Sequence, residues 1–423
     1  MYINSITLKN IRTFAAESTI HFNYPERVYG EDKPIKQAPK LKNVNLLFGE
    51  NSTGKSTVLE VIALASLGPA IIESRIDPKP LVRLIPSQRK PSEAEKSEIG
   101  TIRAFFTLHE GEFDSIVPPS SRGFSSELLI SKKGKLENIE HKENKNIRWK
   151  QVYEDENAAF FIVAYGTSRR GSLDSERSKN LRNRTHYWRT DRINSIIKDE
   201  FTLVDFWEWF VNHKRRKKRS ELIVKLINRA LAKSQLKYEG NWNEDDCLFT
   251  RGGMEIPLRS LSDGYKGFLS WITDLLYHLE YISLRTKISM QNIPGIVLVD
   301  EIDLHLHPRW QMDVISQLAN TFPRLQFIFT SHSPLIAGSV EWMNITRLSL
   351  DRFHRTVVDL FEEPIHGLDA DQILVSTLFG LESTRARAKQ NLLDELRNRV
   401  RRGDKGAAKE FLSELARGIE GEK

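Results

Sequence analysis

The feature that most limits what this chain can fold into is Gly49-Glu50-Asn51-Ser52-Thr53-Gly54-Lys55-Ser56-Thr57. It follows the apolar run Asn45-Leu46-Leu47-Phe48 and precedes Val58-Leu59-Glu60-Val61-Ile62-Ala63-Leu64, which has helical spacing. Buried strand, glycine-containing turn and helix, in that order, are the setting in which the G-x-x-x-x-G-K-S pattern cradles phosphate. Small residues let successive backbone N–H groups face one concavity, and the helix N-terminus adds partial positive charge. Lys55 can neutralise β- and γ-phosphate oxygens, and the Ser56 hydroxyl can ligate Mg²⁺. The candidate nucleotide-binding residues are therefore Gly49, Asn51, Ser52, Thr53, Gly54, Lys55, Ser56 and Thr57, with Arg12 added from the turn between the first two strands. A nucleotide and Mg²⁺ are the expected ligands.

Composition narrows the setting. The chain has 423 residues, 39% hydrophobic and 28% charged, enough for two or three lobes. No apolar run approaches the roughly 18 residues that cross a bilayer. Met1-Tyr2-Ile3-Asn4 runs into strand-like alternation without a charged-then-apolar leader, so a cytoplasmic protein without a membrane partner is expected. The single cysteine, Cys247, excludes an internal disulfide and reads as a small packed residue. A net charge of +7 makes an anionic partner plausible. Basic residues gather at Arg169, Arg170, Arg177, Lys179, Arg182, Arg184, Arg189 and Arg192, and again in His213-Lys214-Arg215-Arg216-Lys217-Lys218-Arg219. Lys214 to Arg219 is the nucleic-acid candidate; a solvated charged face is the plainer alternative.

Along the chain, residues 1 to 24 read as two strands and 25 to 40 as an exposed hairpin tip or loop. Prolines 78, 80, 86 and 91 should break regular structure after the first helix. Ile102 to Leu108 and Leu128 to Ile130 are strand-like and predict an antiparallel lobe at about 99–160. Phe160 to Ala164 is a strand buried on both faces, ending at Tyr165-Gly166-Thr167-Ser168-Arg169, where a parallel sheet places ligand loops. Residues 171 to 190 read as a surface loop, and Ile193 to Leu231 as helices with one apolar face, giving a helical, basic lobe at about 171–250. No heptad seam or internal repeat is evident.

Three further motifs carry chemistry. Leu261-Ser262-Asp263-Gly264-Tyr265 opens a helix through Leu279; Ser262 and Asp263 can cap it, and Gly264 permits a close backbone approach. Ile296-Val297-Leu298-Val299-Asp300-Glu301 is a buried strand ending in two carboxylates. Asp300 is placed to hold the Mg²⁺ shell and Glu301 to polarise a water. Phe327-Ile328-Phe329-Thr330 is another buried strand, and His332 beyond it can reach a γ-phosphate. The catalytic candidates are Glu301 and His332. His305, His307 and His332 with Asp300, Glu301 and Asp303 also admit a transition-metal reading, which Mg²⁺ with nucleotide outweighs.

These motifs in this order resemble the ATP-binding-cassette-type ATPase head of SMC and DNA-repair proteins and of soluble ATPases in bacterial anti-phage systems. DEIDLHLHPRWQ (Asp300 to Gln311), TSHSP (Thr330 to Pro334) and Ala164 to Arg169 resemble the short, arm-less members of the Septu PtuA, PARIS and OLD-nuclease kind. The resemblance covers most of residues 1–350 and implies an α/β fold: a P-loop NTPase head with a mixed central sheet, an antiparallel β lobe, an inserted helical lobe and a helical C-terminal tail from 351. It also implies a composite site between two heads, paired head to tail around ATP. Lys55, Ser56, Asp300, Glu301 and His332 would act in one copy, with Leu261, Ser262, Asp263, Gly264 and Tyr265 as the signature of the other. Two departures stand out: Ser52 replaces the usual glycine, and Leu304-His305-Leu306-His307 replaces an Asp-containing interface loop. Gln88 is a weak candidate for a glutamine lid.

Arg347 to Leu350 reads as a terminal strand, and residues 363 to 423 as helices with thin apolar faces, suited to docking on a partner or on their own domain. No nuclease signature follows the ATPase motifs and little chain remains, so any destructive activity is expected in another polypeptide. Two functions stay open: a regulatory ATPase controlling a separate effector, most simply a nuclease, in anti-phage defence, or a stand-alone SMC- or repair-like DNA-binding ATPase. A transporter ATPase is a poorer third.

Overall fold

The computed structural model describes residues 1–72, 74, 76–83, 99–109, 123–134, 136–142, 161–169, 188–213, 217–242, 246–359, 361–385 and 387–416. Two compact units divide the chain, Met1–Gly367 and Leu368–Lys423.

The larger unit is α/β. Its described strands are β1 (Tyr2–Lys9), β2 (Ser18–His21), β3 (Val44–Phe48), β4 (Ile99–Thr107), β5 (Gly123–Lys133), β6 (Leu136–His141), β7 (Ile162–Tyr165), β8 (Lys237–Trp242), β9 (Cys247–Arg251), β10 (Met254–Pro257), β11 (Gly295–Val299), β12 (Leu325–Ser331), β13 (Ile345–Leu350) and β14 (Thr356–Asp359). A six-stranded central sheet runs β14-β13-β3-β12-β11-β7. Its strands are parallel except β14, which lies antiparallel to β13. β3, β7, β11 and β12 are buried along their whole length, as their unbroken apolar sequences require. Parallel pairing brings their C-terminal ends to one edge, where ligand loops gather.

Helix α1 (Lys55–Leu67) is buried on nearly every side. It touches β4 and β5 of a second sheet as well as β7, β11 and β12 of the central one. A helix apolar all round is stable in water only when enclosed in this way. The second sheet has the order β2-β1-β4-β5-β6 and is antiparallel throughout. The antiparallel lobe expected at 99–160 is therefore not self-contained: the two N-terminal strands complete it. Residues 25–40 connect strands of different sheets rather than forming a hairpin tip.

The region expected to be helical does contain α2 (Trp188–Ile197), α3 (Phe206–His213) and α4 (Lys217–Ala230). It also holds a three-stranded sheet, β10-β9-β8, absent from that expectation. Residues 188–190 are helical rather than loop. Cys247 is buried there beside the Tyr238 hydroxyl at 3.5 Å, and burial pushes its thiol up to about 12. Nor is β13 terminal, because β14 follows it. Then come α5 (Asp263–Thr286), α6 (Pro308–Gln311), α7 (Val314–Thr321) and α8 (Pro334–Gly338).

In the smaller unit, α9 (Ala370–Val375) is short, and α10 (Arg387–Arg401) packs against α11 (Lys405–Ala416). Leu378, Phe379 and Leu381 lie beyond α9 instead of on its face. No helix among the described residues is long and apolar enough to cross a membrane.

Gln326 ties the two sheets of the larger unit. From β12 its Oε1 accepts from the Ile3 N–H at 2.8 Å, and its Nε2 donates to the carbonyls of Ile3 and Asn23, each at 2.8 Å. All of this is buried, so removing the amide strands main-chain groups away from water. Gln326→Ala is expected to lower the unfolding free energy by ~2–4 kcal/mol, measured by chemical denaturation.

Candidate functional site

The phosphate loop turns sharply between β3 and α1. Ser52 (φ 64°) and Gly54 (φ 95°) adopt left-handed backbone. A Cβ at Gly54 would come within 2.7 Å of the Phe14 ring, so glycine is required there on both counts. Serine bears the strain at 52 while exposed. Thr53 Oγ1 donates to the Glu50 carbonyl at 2.9 Å, bracing the loop. No side chain caps the N-terminus of α1, which leaves its first N–H groups for another acceptor. The buried Lys55 ammonium donates to the carbonyls of Gly49 (2.8 Å) and Glu50 (2.7 Å). Burial pulls its pKa down to about 8, against the opposing pull of Asp300, Glu301, Asp303 and Glu50.

Arg12 does not face this loop as a free cation. Its Nη1 donates to Glu60 at 2.6 Å and Thr57 at 3.3 Å, while Nε and Nη2 donate to the carbonyls of Pro80 and Lys79. It thereby fastens α1 to the neighbouring chain.

The two acids sit at the tip of β11. Asp300 is buried, and Glu301 follows in left-handed backbone (φ 45°). Both flanking strands hold this turn. From β12, the Thr330 hydroxyl donates to Asp300 Oδ1 at 2.5 Å and accepts from the Glu301 N–H at 2.7 Å. From the end of β7, Arg169 Nη2 donates to the carbonyls of Asp300 and Glu301, and its Nε donates to Gly166 at 3.0 Å. Burial lowers the Arg169 pKa to about 10 even with three acids beside it, so it stays charged at neutral pH. The Glu301 pKa is raised, first by burial and then by Asp300 and Asp303. That of His332 is lowered by burial and by Lys55, leaving a neutral imidazole at pH 7. Asp303 Oδ1 is buried without a hydrogen bond among the described residues. Lys55, Asp300, Glu301 and His332, separated by up to 277 positions in sequence, thus share one electrostatic neighbourhood. The uncapped helix start, the buried lysine and the acid tip fit a nucleotide with Mg²⁺; Ser56 and Asp300 could hold the metal.

The signature turn opens α5. Ser262 occupies the N-cap position but its side chain makes no capping bond, and Asp263 falls in the first turn, so neither caps the helix as expected. Both are exposed, while Leu261 and Gly264 are buried. A Cβ on Gly264 would lie 2.1 Å from the His305 carbonyl oxygen. The close approach that this glycine permits is to the chain's own acid loop. Tyr265 packs against Trp310 with the rings tilted by 31° and their centroids 5.2 Å apart, and its hydroxyl donates to the Ser234 carbonyl.

The histidines do not form a metal site. His307 caps α6, its Nδ1 accepting from the Arg309 N–H at 3.3 Å. Among the described residues no group of three His, Cys, Asp or Glu is placed to hold a metal ion alone. Lys214, Arg215 and Arg216 lie outside the described residues, as do Gln88, Arg170, Arg177, Lys179, Arg182 and Arg184. Lys217, Lys218 and Arg219 fall in the first turn of α4.

A family model described as "AAA domain, putative AbiEii toxin, Type IV TA system" matches residues 44–338. The Septu protein PtuA of Bacillus mycoides (strain KBAB4) is 25% identical over 341 residues, covering 80% of this chain and 41% of that protein. The Retron Vc95 probable ATPase of Vibrio cholerae serotype O1 biovar El Tor is 40% identical over 95 residues, 22% of this chain and 18% of that protein. The chain thus spans less than half the length of these relatives. Among solved structures, an SMC head bound to the C-winged helix domain of ScpA aligns with a TM-score of 0.50 at 15% identity, over 86% of this chain and 98% of that one. That likeness shows the ATPase-head fold.

The lowered pKa of Lys55 has a consequence for binding. Below about pH 8 the lysine is already protonated; above it, an incoming triphosphate must take up a proton with it. Nucleotide affinity is expected to be flat from pH 6.5 to 8 and then to fall by up to about tenfold per pH unit. Binding of a fluorescent ATP analogue checks this, with Lys55→Met expected to be weak and pH-independent.

Proposed function

The chain belongs to this AAA-domain family of ATPases, and on that premise we propose that it is a slow regulatory ATPase of bacterial anti-phage defence that controls a separate effector. The observation that carries the chemistry is the convergence of Lys55, Asp300, Glu301 and His332 at the ends of the adjacent parallel strands β3, β12 and β11. Lys55 and the N–H groups of residues 51–57 bind the triphosphate. Ser56 and Asp300 hold Mg²⁺, which when bound neutralises charge on the β- and γ-phosphates. Glu301, its basicity increased by burial and two neighbouring acids, orients the attacking water and accepts its proton. His332 reaches the γ-phosphate as a neutral hydrogen-bonding group.

The second half of the site comes from another copy. Ser262 and Asp263 are exposed at the start of a long helix, as a signature turn offered to a partner head requires. A head-to-tail homodimer, or a larger assembly built from it, encloses two ATP molecules. The defence role rests on the likeness to the Septu protein PtuA and the retron ATPase, and a nuclease is the effector class we assign. The helices α10 and α11, with Leu392 and Leu412 exposed, are the proposed docking element for that effector.

A second reading, a stand-alone DNA-binding ATPase, draws on the net charge of +7 and the basic start of α4. ATP-dependent, salt-steep duplex binding by the chain purified alone would favour it, since phosphate contacts release counterions.

Glu301→Gln is expected to bind ATP with near-normal affinity, to lose at least about 100-fold in kcat, and to accumulate as an ATP-bound dimer in light scattering. Hydrolysis at the unmutated rate would overturn the assignment.

A further inference from the structure

The acid turn at the tip of β11 contains a residue in left-handed backbone, Glu301 at φ 45°. Glutamate gains nothing from that conformation, which persists only where surrounding contacts impose it. The direction of its side chain is set by its main chain, so whatever fixes the two flanking peptide units also aims the carboxylate. On the β7 side the groups that fix them come from one side chain. Arg169 is buried, carries its charge into the sheet edge, and spends Nη2 on the Asp300 and Glu301 carbonyls and Nε on Gly166. The Asp300 carbonyl shares its peptide unit with the Glu301 N–H, and the Glu301 carbonyl belongs to the next unit, so Arg169 holds both peptides that flank the Glu301 Cα. Gly166 is itself fixed: a Cβ there would lie 2.4 Å from the Ser195 carbonyl oxygen. The Asp300 N–H also donates to the Tyr165 carbonyl at 2.8 Å.

We propose that Arg169 is a positioning residue for hydrolysis, holding the Glu301 carboxylate in its working direction by gripping the main chain of the acid turn. Its hydrogen bonds go to main-chain carbonyls of the turn and of its own strand end. The proposal rests on the reading of Glu301 as the water-directing acid. A guanidinium suits the task because its planar fork serves three carbonyls at once from a rigid frame, whereas a lysine ammonium keeps the charge and loses the fork.

The test uses the full chain with Arg169→Lys, Arg169→Gln, Glu301→Gln and the double variant Arg169→Lys/Glu301→Gln, measuring KM, kcat, affinity for a non-hydrolysable ATP analogue and melting temperature. Arg169→Lys is expected to keep analogue affinity and KM within about threefold while kcat falls at least about tenfold. In the Glu301→Gln background the same change is expected to cost nothing further, because both act on one step. A kcat left unchanged in Arg169→Lys would overturn the proposal, and so would a full multiplicative loss in the double variant. Loss of folding in both the Lys and Gln variants would overturn it too, marking Arg169 as a structural strut. If Glu301→Gln itself hydrolyses normally, the reading of the acid fails first, and the two failures are told apart.

Discussion

Enclosure of α1 between two sheets is the constraint on which the site depends. The helix has no polar face to turn outward, so it cannot slide or rotate without exposing apolar surface at about 25 cal/mol per Å². Its N-terminus is thereby held at the edge where β3, β11 and β12 end, and Glu60 anchors Arg12 against its flank. The phosphate loop can keep Ser52 in left-handed backbone because the helix behind it is enclosed. A fixed loop in turn gives the acids on β11 something to face.

The parallel core was legible because strands buried on both faces read as unbroken apolar runs, and the phosphate loop because its spacing and setting coincide. Legibility failed where a strand is short or where a partner is distant. Cys247 to Arg251 alternates over only five residues, and its partner β8 contains Gly240 in left-handed backbone with a register break around it. Nothing local announced that β1 and β2 would join β4, some 90 residues on. Thr330 was visible as the end of a strand, yet its two hydrogen bonds to the acid turn follow from sheet order, which a single sequence does not carry. Arg169 looked like one member of a basic cluster, and nothing in that cluster foretells its burial or its hydrogen bonds to the Asp300 and Glu301 carbonyls. His307 admitted only a disfavoured reading as a metal ligand, and its role as a helix cap depends on a turn that its sequence does not announce.

One buried network joins the ATP edge to the signature helix. Asp274, in the middle of α5, accepts from the Tyr165 hydroxyl at 3.0 Å and the Val204 N–H at 3.2 Å, with His278 at 3.4 Å. Burial alone would push its carboxyl up, but His278, Val204 and Tyr165 together hold it below the usual carboxylate range. Since Tyr165 is the last residue of β7, the strand end that leads to Arg169 is pinned to α5 from one side and to the acid turn from the other.

The contact between Gly264 and the His305 carbonyl gives this arrangement a further meaning. The turn displayed outward and the loop that follows the acids have no side chain between them to act as a cushion, so a shift in one displaces the other. The exposed Ser262 and Asp263 are thus coupled rigidly to the loop behind Asp300 and Glu301, so the outer surface at this turn registers the conformation of the acid loop within the same chain.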